Sequence, residues 1–143
     1  MATRSTIALE FADGSVGQVY CHWDGYLDHN GRILLAHWSD PFKLKKLIDL
    51  GDLSSLHAEL GEKHDFGAKY DQGCTFYGRD RGEPGCEARY FESFADYKQN
   101  HQYEEFEYIL RPIDGKAVWF VYTGDTYVPL QEELEILDAE RAE

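Results

Sequence analysis

Ser5-Thr6-Ile7-Ala8-Leu9-Glu10-Phe11-Ala12-Asp13-Gly14-Ser15-Val16-Gly17-Gln18-Val19-Tyr20-Cys21-His22-Trp23 is the stretch that decides the fold class. Two runs, 5–12 and 15–23, flank Asp13-Gly14. An Asp-Gly pair supplies the positive φ values that a tight hairpin turn requires. Working outward, turn chemistry predicts two more hairpins. Cys74–Arg79 and Glu87–Phe91 flank Gly82-Glu83-Pro84-Gly85, and Glu107–Arg111 and Ala117–Tyr122 flank Asp114-Gly115. In the last of these, Tyr108-Ile109-Leu110 and Val118-Trp119-Phe120-Val121-Tyr122 are almost wholly apolar or aromatic. Strands of that kind sit centrally, covered on both faces.

Helices fall between the hairpins. Asp40 caps a helix that begins at Pro41 and ends at Gly51, with Leu44, Leu47 and Ile48 on one stripe. A shorter helix precedes it around Gly31–Trp38. Ser93 with Asp96 opens another near Phe94–His101. The last runs from Pro129, with Leu130, Leu134 and Leu137 along one side. The predicted order is ββ-αα-ββ-α-ββ-α: one α+β domain over residues 1–143, with helices packed on an antiparallel sheet built from hairpins. Residues 58–73 are the least periodic and predict a long surface loop, and 125–143 read as an acidic helical extension.

Composition bounds the function. With 43% hydrophobic and 15% aromatic residues over 143 positions, the chain can fill a core without crosslinks or metal. No run approaches the ~18 apolar residues that span a bilayer. The N-terminus lacks a signal-peptide run, so the expected location is the cytoplasm. Cys21, Cys74 and Cys86 form an odd set without CxxC spacing, which predicts buried free thiols rather than a disulfide framework. The net charge is −13. Residues 1–70 hold 7 Lys/Arg against 10 Asp/Glu, whereas 71–143 hold 7 against 17. Such a surface repels phosphates and anionic lipids, which argues against direct nucleic-acid or membrane binding. It attracts a basic protein surface, including one that normally holds nucleic acid; the plainer reading is that acidity serves solubility.

Candidate chemistry is concentrated in three places. Tyr20-Cys21-His22-Trp23-Asp24-Gly25-Tyr26 sets an imidazole, an indole, a carboxylate and a phenol around a strand end, and His22, Trp23, Asp24 and Tyr26 are ligand-binding candidates. The alternative is a structural corner, with Gly25 supplying an unusual φ while Trp23 and Tyr26 pack inward. Arg79, Asp80 and Arg81 are further candidates: on a strand the two guanidiniums share a face and can fork around a phosphate or carboxylate, or else pair with nearby acids. Acidic clusters at Glu104, Glu105 and Glu107, and at Glu132, Glu133, Glu135, Asp138, Glu140 and Glu143, are candidates for contact with a basic partner. His22, His29 and His37 lack zinc-site spacing, and no phosphate loop or nucleophile elbow is present, so no metal, cofactor or catalytic set is expected.

Four blocks, in order, resemble a family of small proteins carried by tailed phages and prophages. They are Thr6-Ile7-Ala8 leading into Tyr20–Tyr26, then Gly31, then Leu50-Gly51-Asp52-Leu53-Ser54-Ser55-Leu56, then Tyr77-Gly78-Arg79-Asp80-Arg81-Gly82-Glu83. The resemblance covers residues 4–110. Leu27 stands where the family pattern has proline, and 125–143 lie beyond it. The resemblance implies an origin more than a mechanism; small phage accessory proteins commonly bind and disable a host factor. The resulting expectation is an inhibitor of a host protein, of the anti-defence type such as an anti-CRISPR, acting through an acidic and nucleic-acid-mimicking surface. Two alternatives stand beside it: a small-ligand or nucleotide-binding protein or enzyme using His22–Tyr26 with Arg79 and Arg81, and a structural homo-oligomer.

Overall fold

The computed structural model describes residues 2–142. Eight strands form one sheet: β1 (Ser5–Glu10), β2 (Val16–Cys21), β3 (Leu53–Ser55), β4 (Thr75–Phe76), β5 (Arg89–Phe91), β6 (Phe106–Ile113), β7 (Lys116–Tyr122) and β8 (Tyr127–Pro129). Their order is β4-β3-β2-β1-β6-β7-β8, and β5 pairs with the start of β2. Five helices accompany them: α1 (Arg32–His37), α2 (Pro41–Leu50), α3 (Tyr77–Arg81), α4 (Phe94–Asn100) and α5 (Leu130–Ala142). The α+β class holds, with a mostly antiparallel sheet. No helix among the described residues is long and apolar enough to cross a membrane.

Alternation along the central strands explains why the apolar runs are continuous, because each face of the sheet has its own core. Ile7 and Leu9 of β1, Tyr108 and Leu110 of β6, and Trp119 and Val121 of β7 face the main core, which Leu34, Leu44, Leu47, Ile48, Leu130 and Leu134 complete from α1, α2 and α5. The intervening Ala8, Ile109 and Phe120 point the other way, into a smaller cluster closed by Phe94 and Tyr97 of α4 and by Tyr127. Burying each large side chain of this kind contributes about 1.5–3 kcal/mol, so both faces add to stability.

The helix caps follow the sequence. Asp40 accepts from the Phe42 N–H at 3.0 Å, and Ser93 Oγ accepts from the Asp96 N–H at 3.0 Å. After α2, Gly51 has φ 88, and a Cβ there would sit 2.2 Å from the Cys86 carbonyl oxygen, so only glycine fits.

Three features differ from the expectation. The sheet is not built from hairpins alone: β1 pairs with β6 in parallel, as does β2 with β3. The predicted hairpin of Cys74–Arg79 with Glu87–Phe91 does not form; β4 pairs with β3 and β5 with β2. In its place Tyr77–Arg81 turns into α3, because the Asp80 carboxylate accepts the Phe76 N–H at 2.7 Å and Gly82 closes the turn in the left-handed region. Finally, the C-terminal segment is part of the body. β8 pairs with β7, and Leu130 and Leu134 of α5 are buried.

Candidate functional site

The corner after β2 displays side chains on a braced backbone. The His22 N–H donates to the Leu53 carbonyl at 3.1 Å and the Trp23 N–H to the Ser54 carbonyl at 3.0 Å. The Tyr20 hydroxyl lies 2.6 Å from His22 Nδ1, and the His22 ring meets Trp23 edge-on at 4.7 Å. Asp24, not Gly25, holds the left-handed φ, at 58°. Gly25 is required for closeness instead, since a Cβ there would come within 2.7 Å of Ser5 Cβ. Its carbonyl accepts the Tyr108 hydroxyl at 2.7 Å, and buried Asn30 donates to the Trp23 carbonyl at 3.2 Å. Trp23 and Tyr26 do not pack inward; they are 44% and 40% exposed.

Arg79, Asp80 and Arg81 form no fork. The Asp80 side chain is fully buried and accepts from the His64 N–H at 3.1 Å as well as from Phe76. Burial raises its pKa, but Arg79 and the two backbone donors outweigh burial and hold the carboxyl below the usual range. Arg79 donates to the carbonyls of Leu60 and Cys74 at 3.0 and 2.7 Å, pinning the 58–73 loop. Arg81 points elsewhere, over the rings of Tyr77 and Phe66, and pairs with Glu83. Thus Asp80 and Arg79 are structural, whereas Arg81, His22, Trp23, Asp24 and Tyr26 reach the surface.

The acidic clusters converge in part. Glu104 and Glu105, just before β6, and Glu133 of α5 line one groove of about 390 Å³ with Tyr103 and Tyr122. None of the three pairs with a lysine or arginine among the described residues. Glu132 and Glu135 line a separate groove beside Trp119, and Glu140 is exposed. Asp138 is taken up by Arg32 at 2.6 Å, and Glu143 lies outside the described residues. Glu107 is not a surface carboxylate at all. It is 2% exposed and bonded to buried His101.

His101, but not Glu107, lines a second cavity, of about 400 Å³, that sequence reasoning missed. His101 Nδ1 contacts the Tyr97 carbonyl, which only accepts, so Nδ1 carries a proton. Nε2 faces the Glu107 carboxyl, and Tyr127 donates to the same carboxyl at 3.3 Å. One further proton must therefore lie between the imidazole and the carboxyl. Burial first, then Glu107, pushes the Tyr127 phenol well up, so it stays a donor. The available signal was alternation: Glu107 shares a face with Ile109 on a strand covered on both sides.

The thiols do little chemistry here. Burial pushes Cys21 up to about 12 and Cys74 to about 11, and burial with Glu83 does the same for Cys86, to about 11. No cluster of three or more His, Cys, Asp or Glu side chains suited to a metal occurs among the described residues. Compared with protein-family models, with curated proteins and with solved structures, the chain matches none.

Proposed function

We propose that this chain is a phage or prophage accessory protein that binds a host protein in the bacterial cytoplasm and disables it by occupying a basic surface, in the manner of an anti-defence factor. The observation that carries the reading is the groove in which Glu104, Glu105 and Glu133 meet from opposite ends of the chain's last third without a basic partner. Carboxylates held together by the segment leading into β6 and by a helix present one negative field, which speeds encounter with a positive patch and selects against acidic ones. The four blocks of phage-like sequence supply the origin, and a protein that normally holds nucleic acid supplies the most suitable basic surface.

Affinity capture from the lysate of a bacterial host, followed by binding kinetics on the captured protein, tests this. The expected result is a basic partner whose association slows as salt rises, and whose binding is lost when Glu104 and Glu133 are changed to lysine. A partner bound equally well at low and physiological salt, or indifferent to Glu104→Lys with Glu133→Lys, overturns the reading.

A further inference from the structure

On the sheet face opposite α1, α2 and α5, the cavity above His101 and Glu107 has a composition unlike the rest of the molecule. Its walls are aromatic: Phe94, Tyr103, Phe120, Tyr122 and Tyr127. Its charged lining is Lys98, Arg111 and Asp125; Arg111 is paired with Glu10, which leaves Lys98 as the cavity's unpaired cation. Lys98 is exposed and has no carboxylate partner among the described residues. Arg111 engages Glu10 through Nε at 2.6 Å, and its guanidinium lies 3.6 Å from the centre of the Phe94 ring, while its Nη donors make no hydrogen bond among the described residues. The volume, about 400 Å³, falls within the roughly 300–1,000 Å³ of small-molecule sites.

We propose that this cavity binds a nucleoside monophosphate, a planar heteroaromatic ring carrying one phosphate. Each part of the ligand has a counterpart. The base stacks among Tyr103, Tyr122 and Phe120, as bases do on aromatic platforms irrespective of their identity. Tyr103 is fixed as a wall because its hydroxyl donates to the Lys98 carbonyl at 3.0 Å and its ring rests on His101 at 4.2 Å. The phosphate meets Lys98 and the free donors of Arg111, which form charge-assisted bonds. Asp125 and Thr126 offer acceptors for sugar hydroxyls or an exocyclic amine. A cationic ligand is disfavoured by the same two basic side chains, and a purely apolar one would leave them desolvated without a partner. Beneath, the His101–Glu107–Tyr127 network is closed on itself and holds the floor in one geometry.

The site shares the walls Tyr103 and Tyr122 with the acidic groove, but its basic side chains, Lys98 and Arg111, lie outside that groove, so either reading can fail alone. Calorimetric titration of the full chain with AMP, GMP, CMP and UMP, with adenosine and guanosine, and with inorganic phosphate tests it. The expected result is one-to-one binding of at least one mononucleotide, with its nucleoside weaker by about tenfold, the loss of one charge-assisted contact. Inorganic phosphate alone gives no heat. Lys98→Ala, at an exposed position, weakens the nucleotide toward the level of the nucleoside and leaves the nucleoside unchanged, whereas Tyr122→Ser weakens both. The proposal is overturned if no mononucleotide binds at millimolar concentration, if phosphate binds as well as the nucleotide, or if binding survives Lys98→Ala but is lost in His22→Ala at the distant corner.

Discussion

The pair of His101 and Glu107 shows how one residue's environment reverses its meaning. Both side chains are almost wholly buried, at 1% and 2% exposure, and are hydrogen-bonded to each other. Removing one member leaves the other without a partner in a dry site, a loss of about 3–5 kcal/mol. Glu107→Ala is expected to cost that much in urea denaturation. Glu107→Gln is expected to cost clearly less, because its amide can donate to Nε2 of the neutral imidazole; equal losses for the two variants would contradict the network. Asp80 gives a second test, read through pH. Its folded pKa is held below the ordinary value of about 3.9 for an unfolded chain. A depressed carboxyl adds stability that is fully present above that unfolded value and is lost as pH falls through the folded one. Thermal melts of the protein are therefore expected to drop steeply below about pH 4. Asp80→Asn, less stable at neutrality, is expected to show a flatter acid limb, so that the gap between the two proteins narrows on acidification.

At the level of elements, what could be read from sequence was whatever is encoded locally. The Asp114-Gly115 turn joins β6 to β7 with both residues at positive φ, as expected, whereas β1 and β2 are joined by a longer loop, residues 11–15, in which Gly14 but not Asp13 has positive φ; Asp40 and Ser93 cap the helices they precede. What could not be read depends on partners far along the chain. β3 and β8 are three residues each, too short to carry a period, and exist because β2 and β7 offer them an edge. α3 replaces a strand because the Asp80 carboxylate is anchored by His64, sixteen positions away. The parallel pairing of Ser5 with Phe106 has no local trace. The site divides the same way. The chemistry of the corner at 20–26 was visible as a dense segment, whereas the aromatic cavity is assembled from α4, β6, β7 and β8 and has no segment of its own. α5 makes this measurable. Leu134 is 4% exposed in the main core and Ile136 is 53% exposed two residues on. Leu134→Ala is expected to cost about 2–5 kcal/mol, as core truncations do. Ile136→Ala is expected to stay within about 0.5 kcal/mol, as surface changes do. Matched, small losses at both positions would mean that the helix hangs free of the body.

For the whole molecule the question is where the surplus negative charge resides once its pairings are drawn. Arg32, Arg141, Lys43, Lys45, Arg81, Arg89 and Arg111 each hold a carboxylate within 4 Å, neutralising Asp28, Asp138, Glu59, Asp49, Glu83, Asp52 and Glu10. Those pairs are spread over α1, α2, α3, α5, β1, β5 and β6, whereas the unpaired carboxylates at 104, 105 and 133 gather in one groove where β6 begins and α5 starts. Like charges so placed repel one another and weaken the fold slightly; they are not there for stability. Neutralising Glu104, Glu105 and Glu133 to glutamine in one variant is therefore expected to leave the melting temperature unchanged or a little higher. The same variant is expected to slow association with a basic partner by about tenfold at low salt, a difference that shrinks as the screening length falls to about 8 Å at physiological ionic strength. Binding of a mononucleotide in the cavity beyond Tyr122 is expected to persist. A lower melting temperature with unchanged association kinetics would assign these carboxylates to the fold instead, and remove the electrostatic basis for partner capture.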